Sequence, residues 1–500
     1  MILNANPSSA TKGPSGDATK PATTATKPAV GKIASVPSNI LGAEEYRRGV
    51  AEAKAHPEDH HDHPAGRTAQ HDGHGKALLL VNEWEREKAA GRYSGRIVWC
   101  MCFASFLGLQ LNERFGTPAA ALFLAPWVFL ILFRIPRMAE FVLADWLVLL
   151  SPCFATLSAL WSSEPPWSMR IGVEYMATVV VGIAAARLVD RRIVLTSMLA
   201  ALVLVMIGSF AVTIKSLGIH AIHGMTGLYG SKNQFASNSA LILICAVYLV
   251  IYVRATIIQK LFGFGLVGLA LLGVYGGHSA GTIVSIAAVA MTAVALRIMR
   301  NYGKAAILLI MPFLFIIPFF FILADTGELF GNFLQFFGKD KTLTGRTDLW
   351  GTAFHEIGQR LLLGKGYGAF WRIGNPEAEK LWALFHIDTR VGFNFHNEYL
   401  NTAVDLGILG LLINVTLLVC VATRSFQLRL NQPETQLTAV HSMFLFFLYL
   451  TSVEQEFFYT FLLSPVILCL AWADRGTGRK PDQQVTRVVS RPPASAKTPP

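Results

Sequence analysis

Apolar blocks of bilayer-spanning length fix what this chain can fold into. Twelve of them stand near residues 97–112, 117–133, 141–161, 171–187, 193–214, 236–253, 258–276, 281–297, 304–324, 401–423, 437–453 and 456–473. A backbone in hydrocarbon must satisfy its own hydrogen bonds, and a helix of about 20 residues both does so and crosses the bilayer. The expected fold class is therefore all-α: a polytopic transmembrane helical bundle of about twelve spans, with a large loop that carries amphipathic helices. Composition agrees, because a chain that is 53% hydrophobic and only 15% charged falls outside the range of ordinary soluble domains.

The formal net charge of +11 would suit nucleic acid, yet the basic residues gather at the ends of apolar blocks and not on one module, so no nucleic-acid partner is expected. Arg134 and Arg137, then Arg187, Arg191 and Arg192, then Arg254 and Lys260, then Arg297, Arg300 and Lys304, then Arg424 and Arg429 fall on alternate connections. The positive-inside rule puts these connections and both termini in the cytoplasm, and puts the polar stretch 325–401 on the outer face. No apolar run of the signal-peptide kind stands in the first part of the chain, which is consistent with an N-terminus that stays inside.

Three regions follow. Residues 1–94 read as a disordered cytoplasmic tail, too poor in apolar side chains to offset its ordering entropy, with an amphipathic helix near 76–92. Residues 95–474 form the membrane domain, and 475–500 a second disordered cytoplasmic tail. The run holding His56, His60, His61, His63, His71 and His74 reads as a solvated linker, with a divalent transition-metal site as the alternative. No metal or cofactor is expected in the membrane domain. Its six cysteines (Cys100, Cys102, Cys153, Cys245, Cys420 and Cys469) show neither metal-type spacing nor a disulfide framework, and most read as small core residues.

The residues with chemical potential cluster in the stretch 325–401. Arg346 opens a segment with Trp350, Ala353, Phe354, Ile357 and Leu361 on one helical face, capped by Thr344 or Thr347. A guanidinium at a helix N-terminus meets free N–H groups and a positive dipole end, which together favour an anion, either a phosphate or a lipid head group. Arg360, Lys365, Arg372, Lys380 and Arg390 add positive charge. His396 stands at the start of the next span, where the dipole disfavours the imidazolium and leaves a base-competent ring. Glu398 is expected to orient His396 or share its proton work. A further outer loop, 215–236, carries Gly227 and Gly230 and presents Lys232 and Asn233. Glu454 and Glu456, in the last outer turn, are polar groups with a candidate role, whereas 161–167 reads as an interfacial turn anchored by Trp161 and Trp167.

The ordered set Gly-Leu-Tyr-Gly-Ser-Lys-Asn (227–233), Leu-Thr-Gly-Arg-Thr-Asp-Leu-Trp (343–350), Leu-Gly-Lys-Gly-Tyr-Gly-Ala-Phe-Trp (363–371) and His-Asn-Glu-Tyr-Leu (396–400), followed by Gly407 and Gly410, resembles the O-antigen ligase and polymerase superfamily. The likeness is greatest to exopolysaccharide polymerases of the ExoQ and Wzy type, and it covers about residues 97–473. It implies a multi-pass bacterial inner-membrane glycosyltransferase, GT-C-like in form, that uses neither metal ion nor nucleotide sugar. Its substrates would be an undecaprenyl-pyrophosphate-linked glycan and an acceptor, which is the next repeat unit in a polymerase and the lipid A core in a ligase. A flippase and a chain-length regulator would be its protein partners. Carried over by position, Arg346 would hold pyrophosphate and His396 would help activate the acceptor; on the reading of the residues themselves Glu398 joins His396 as a catalytic candidate, and Lys232, Asn233, Arg372, Arg390 and Asn397 are the substrate-binding candidates. The ligase pattern has leucine where Trp350 stands, and Lys232 is the nearest counterpart of its earlier-loop arginine. A transporter is the rival of another class and requires polar groups near the bilayer midplane and broken helices in paired positions. A catalytically dead assembly partner is the third.

Overall fold

The computed structural model describes residues 92–217, 224–252, 256–298, 346–390, 393–431 and 436–473. The expected tails, the helix at 76–92, the histidine run, the block at 304–324 and the Thr344 cap lie outside the described residues. Among the described residues the regular structure is helical, apart from one isolated bridge between Tyr93 and Val189.

Helix α1 (Arg96–Phe115) ends at Gly116, whose φ of 60° turns the chain so that Pro118 can sit in the first turn of α2 (Thr117–Leu132). Helix α3 (Ile135–Ala144) leaves α2 at a 106° bend. The block expected at 141–161 is split at Asp145, which receives Arg187 Nε at 2.9 Å and Nη2 at 2.6 Å, and Trp472 Nε1 at 3.0 Å. A buried carboxylate needs such partners. Helices α4 (Trp146–Leu157), α5 (Pro165–Leu188) and α6 (Arg191–Leu217) follow, then α7 (Lys232–Tyr252), α8 (Ile257–Gly277) and α9 (Ala280–Ile298). After the polar stretch come α10 (Arg346–Gln359), α11 (Pro376–Leu384), α12 (Glu398–Asn431), α13 (Leu437–Leu450) and α14 (Leu463–Ala473).

Six of these helices, α5 to α9 and α12, are long and apolar enough to cross a membrane, and the bent pair α2 and α3 makes up to seven. The expected twelve spans are thus not reproduced among the described residues. Block 437–453 yields only the 14-residue α13, and block 456–473 begins as a turn and becomes helical at Leu463. The apolar run of α13 packs inside the bundle: thirteen of its fourteen residues are buried, Ser442 being the exception. The cysteine expectation also needs adjustment: Cys102, Cys245 and Cys469 are buried, Cys420 is partly so, and Cys100 and Cys153 are exposed on the bundle surface.

Helix α12 is broken at Gly407, whose φ of 66° and ψ of −168° are non-helical. Backbone from the polar stretch fills the break. Ile408 N–H donates to Leu361 O at 2.8 Å, Leu409 N–H to Leu362 O at 3.3 Å, Lys365 N–H to Val404 O at 2.9 Å and Gly366 N–H to Asp405 O at 2.8 Å. The glycines of 363–371 make this approach feasible. A Cβ on Gly364 would strike the Asp405 carbonyl, and one on Gly366 would strike Ser162; both have positive φ. Tyr367 then plugs into the bundle, its N–H donating to Ser158 Oγ at 2.9 Å and its hydroxyl to Phe458 O at 3.1 Å.

The remainder of the stretch builds its own small core from Leu349, Trp350, Ala353, Phe370, Ala378, Leu381, Trp382 and Phe395, against Leu400 and Val404 of α12. Burying side chains of this size contributes about 1.5–3 kcal/mol each, so the cap holds together on its apolar faces while its polar edge stays presented to one end of the bundle. The helical face differs from the expected one. Leu349, Trp350 and Ala353 are buried, but Phe354 and Leu361 point outward, because α10 turns its other face to α12 and the cap core.

Candidate functional site

Three separate segments converge on one carboxylate at the end of the bundle where α7, α10 and α12 begin. His396 Nδ1 lies 2.9 Å from Glu454 Oε2. Arg346 Nη2 lies 3.4 Å from Glu454 Oε1 and donates to Val453 O at 3.0 Å. Asn233 Nδ2 donates to Glu454 Oε1 at 2.6 Å. All are partly covered, with side chains 26% exposed for His396, 18% for Arg346 and 14% for Glu454.

Local structure explains each placement. Arg346 is the first residue of α10 and Asn233 the second of α7. His396 has a φ of 50°, a left-handed conformation, and its N–H donates to Asn394 Oδ1 at 2.7 Å, which turns the ring away from the axis of α12. Glu454 sits in the turn after α13, and that turn is held from below by Glu398. Oε2 of Glu398 accepts Glu456 N–H at 2.5 Å and Phe457 N–H at 2.8 Å, while Glu398 N–H donates to Thr451 O at 2.9 Å.

The two carboxylates of the turn are pushed in opposite directions. Burial works against the Glu454 anion, but the positive charge of His396 and Arg346 and the donated hydrogen bonds from His396 and Asn233 hold its pKa below the ordinary carboxylate value. At Glu456 burial acts with the neighbouring negative charges of Glu454 and Glu398, and its pKa stands well above that value.

The structure therefore brings together Arg346, His396 and Asn233 and corrects several other expectations. Glu398 does not orient His396: it is fully buried and braces the turn, and Glu454 takes the orienting position. Asn397 caps α12, its Oδ1 accepting Tyr399 and Leu400 N–H at 3.0 Å each and its Nδ2 donating to Ser452 O at 3.0 Å. This amide is fully buried and engaged at both its oxygen and its nitrogen. Arg390 pairs with Glu379 at 3.3 Å, in the segment around α11. Lys365 pairs with Glu356 under the cap, and Lys380 with Glu377 at 2.8 Å. Lys232 opens α7 beside Asn233. Arg372 lies over the ring of Trp167 at 4.1 Å, with Glu164 Oε2 4.0 Å from its Nε.

The Gly227 to Gln234 loop is fixed by a carboxylate the sequence reading did not single out. Gln234 Nε2 donates to Glu113 Oε1 at 3.0 Å, and a Cβ on Gly230 would strike Glu113. Also unforeseen is the polar lining beneath the site, where Asn401, Thr402, Asp405 and Asn414 of α12 face Ser151, Tyr175, Tyr367 and Gln455. Its signal was present: four polar residues in one apolar segment. Among the described residues no group of three or more His, Cys, Asp or Glu side chains has metal-holding geometry.

Residues 265–415 match a family described as O-Antigen ligase. The chain is also similar to the exopolysaccharide production protein ExoQ of Rhizobium meliloti (strain 1021), with 29% identity over 317 residues that cover 62% of this chain and 71% of that protein. The matched family segment contains Arg346 and His396, and leaves Asn233 and Glu454 outside it.

Proposed function

Because the chain belongs to the superfamily of O-antigen ligases and Wzy/ExoQ-type polymerases, we propose that it is an inner-membrane glycosyltransferase that joins undecaprenyl-pyrophosphate-linked repeat units into an exopolysaccharide on the outer face. The observation that carries this reading is the convergence of a guanidinium, an imidazole and an amide on Glu454 at one end of a membrane bundle.

Roles follow from the contacts. A carboxylate at Nδ1 fixes the ring tautomer, so Nε2 of His396 is the nitrogen that receives a proton. An acceptor hydroxyl attacks the anomeric carbon, its proton passes to Nε2, and the carbon–oxygen bond to the diphosphate breaks with both electrons leaving on the phosphate. Arg346, at the N-terminus of α10, and Lys232, at the N-terminus of α7, stabilise the charge that develops there. Attack opposite the departing phosphate inverts the anomeric centre. Glu454 keeps Arg346 and His396 a fixed distance apart and balances the imidazolium formed in the step.

One observation favours a transporter: α12 is a broken span with the buried Asp405 beside the break. Against it, the break is filled by the chain's own backbone and the reactive groups lie at one end. Full-length protein in liposomes, given a purified undecaprenyl-pyrophosphate repeat unit, decides between the readings. Polymer formation supports the polymerase, transfer only to added lipid A core supports the ligase, and lipid-linked glycan crossing the bilayer with neither product overturns the enzyme reading.

A further inference from the structure

Beyond the Arg346 and His396 site, a second set of polar groups is built around Trp167 in the first turn of α5. Arg372 lies over the Trp167 ring at 4.1 Å and Arg170 at 5.6 Å. Arg170 also pairs with Glu174 at 3.0 Å, and Glu164 faces Arg372. The turn that carries Trp167 is bound to the 363–371 segment: Trp161 Nε1 donates to Leu363 O at 2.8 Å, Ser163 N–H to Lys365 O at 2.9 Å and Ser168 Oγ to Tyr367 O at 2.9 Å. Trp167 and Arg372 are thus held in register by a rigid hydrogen-bonded frame.

Three donors in this region are covered and have no hydrogen-bond acceptor among the described residues: Trp371 Nε1, Arg372 Nε and Trp382 Nε1. Orphaned donors cost free energy unless an acceptor reaches them. Guanidinium groups held over an indole, one of them with a covered and unsatisfied Nε–H, have the chemistry of a subsite for an acidic sugar, because the indole fixes the arginines and carboxylate oxygens accept from them.

A chain of contacts links this cluster to His396. From Glu454 it runs to His396, from the His396 ring to Phe393 at 5.5 Å, and from Phe393 to Trp371 at 5.2 Å, with Arg372 next in sequence. His396 therefore stands between the Arg346 and Asn233 groups and the aromatic route to Trp167. We infer that Trp167, Arg170 and Arg372 form a subsite for an acidic residue of the acceptor glycan, delivering its hydroxyl to His396. This rests on the glycosyl-transfer reading of the same region.

The test separates the two. Full-length protein in nanodiscs is titrated by calorimetry with a lipid-free acidic oligosaccharide and with the same oligosaccharide after carboxyl reduction. The expected result is binding of the acidic form, weakened ~10-fold or more in Arg372→Gln and in Trp167→Ala, since one charge-assisted hydrogen bond accounts for a factor of that size. His396→Ala should bind as wild type. In turnover assays Arg372→Gln should raise the KM for the acidic acceptor more than it lowers kcat, with a smaller effect on the carboxyl-reduced acceptor. Trp167→Phe, which preserves packing, should bind more strongly than Trp167→Ala. Equal binding by wild type and both variants, or no preference for the acidic form, overturns the subsite. Binding with these features by a protein that makes no polymer overturns the polymerase reading and leaves the subsite standing.

Discussion

His396 and Glu454 lie fifty-eight positions apart in the chain and meet with Nδ1 2.9 Å from Oε2. The pair joins the start of α12 to the turn after α13, and it fixes the direction of an imidazole that would otherwise be a solvent-facing ring. Replacing His396 by Ala is expected to lower turnover about 10²–10⁴-fold, the range for loss of a positioned general base. Glu454→Gln should cost about 10–100-fold, the usual effect of removing the group that orients a histidine. Polymerisation of lipid-linked repeats, with protein abundance measured in parallel, checks both; wild-type turnover in either variant would remove the dyad from the mechanism.

Glu398→Gln distinguishes a brace from a catalyst. An amide oxygen at that position still accepts the Glu456 and Phe457 N–H groups, so activity is expected to fall less than in Glu454→Gln. Asn397→Ala should show its main effect as lost stability of about 1 kcal/mol, the usual value of a helix cap. Thermal melting beside turnover separates these outcomes, and a larger catalytic loss in Glu398→Gln than in Glu454→Gln would reverse the assignment.

The glycines divide sharply. Gly364 and Gly366 have positive φ and no room for a Cβ, so alanine at either should displace the segment from the break in α12 and reduce folded protein. Gly351 and Gly358 lie within α10, where a Cβ meets open space. Alanine there is expected to stabilise by about 0.5–1 kcal/mol. Membrane-fraction abundance and melting temperature of the four variants give the comparison.

Glu454 and Glu456 should affect the pH dependence of stability with opposite signs. The pKa of Glu454 is lowered on folding, so its contribution is complete above the ordinary value of 4.5 and is lost as pH falls through the lower folded value. The pKa of Glu456 is raised, so its ionisation opposes folding increasingly as pH rises above 4.5 toward the folded value. At pH 7, Glu454→Gln is expected to lower the melting temperature and Glu456→Gln to raise it, by about 2–4 °C if each effect is near 1 kcal/mol. Shifts in the same direction would contradict the two environments.

Much of the site was legible in sequence because its residue types are rare in apolar surroundings. Arg346, His396 and Asn233 stand out from flanking hydrocarbon, and their common end follows from alternating basic connections. Glu454 was visible as a polar group in the last turn, but its partners are 58, 108 and 221 positions away, a separation no local pattern reports. Glu398 and Asn397 are less legible for the opposite reason: a polar side chain next to a histidine looks reactive, and only the fold reveals that Glu398 Oε2 and Asn397 Oδ1 each accept two backbone N–H groups. The expected blocks and the observed helices part at Asp145 and before Leu463, because hydropathy measures removal from water and does not distinguish lipid from protein interior.

The seam between Gly407 and 361–366 constrains biogenesis. Carbonyl and amide groups bared at an interrupted span are costly in lipid, and here their partners arrive from the segment that precedes the span in the chain. Gly407 can therefore reach its final geometry only once 361–366 has docked against it, which couples the last steps of membrane insertion to assembly of the cap.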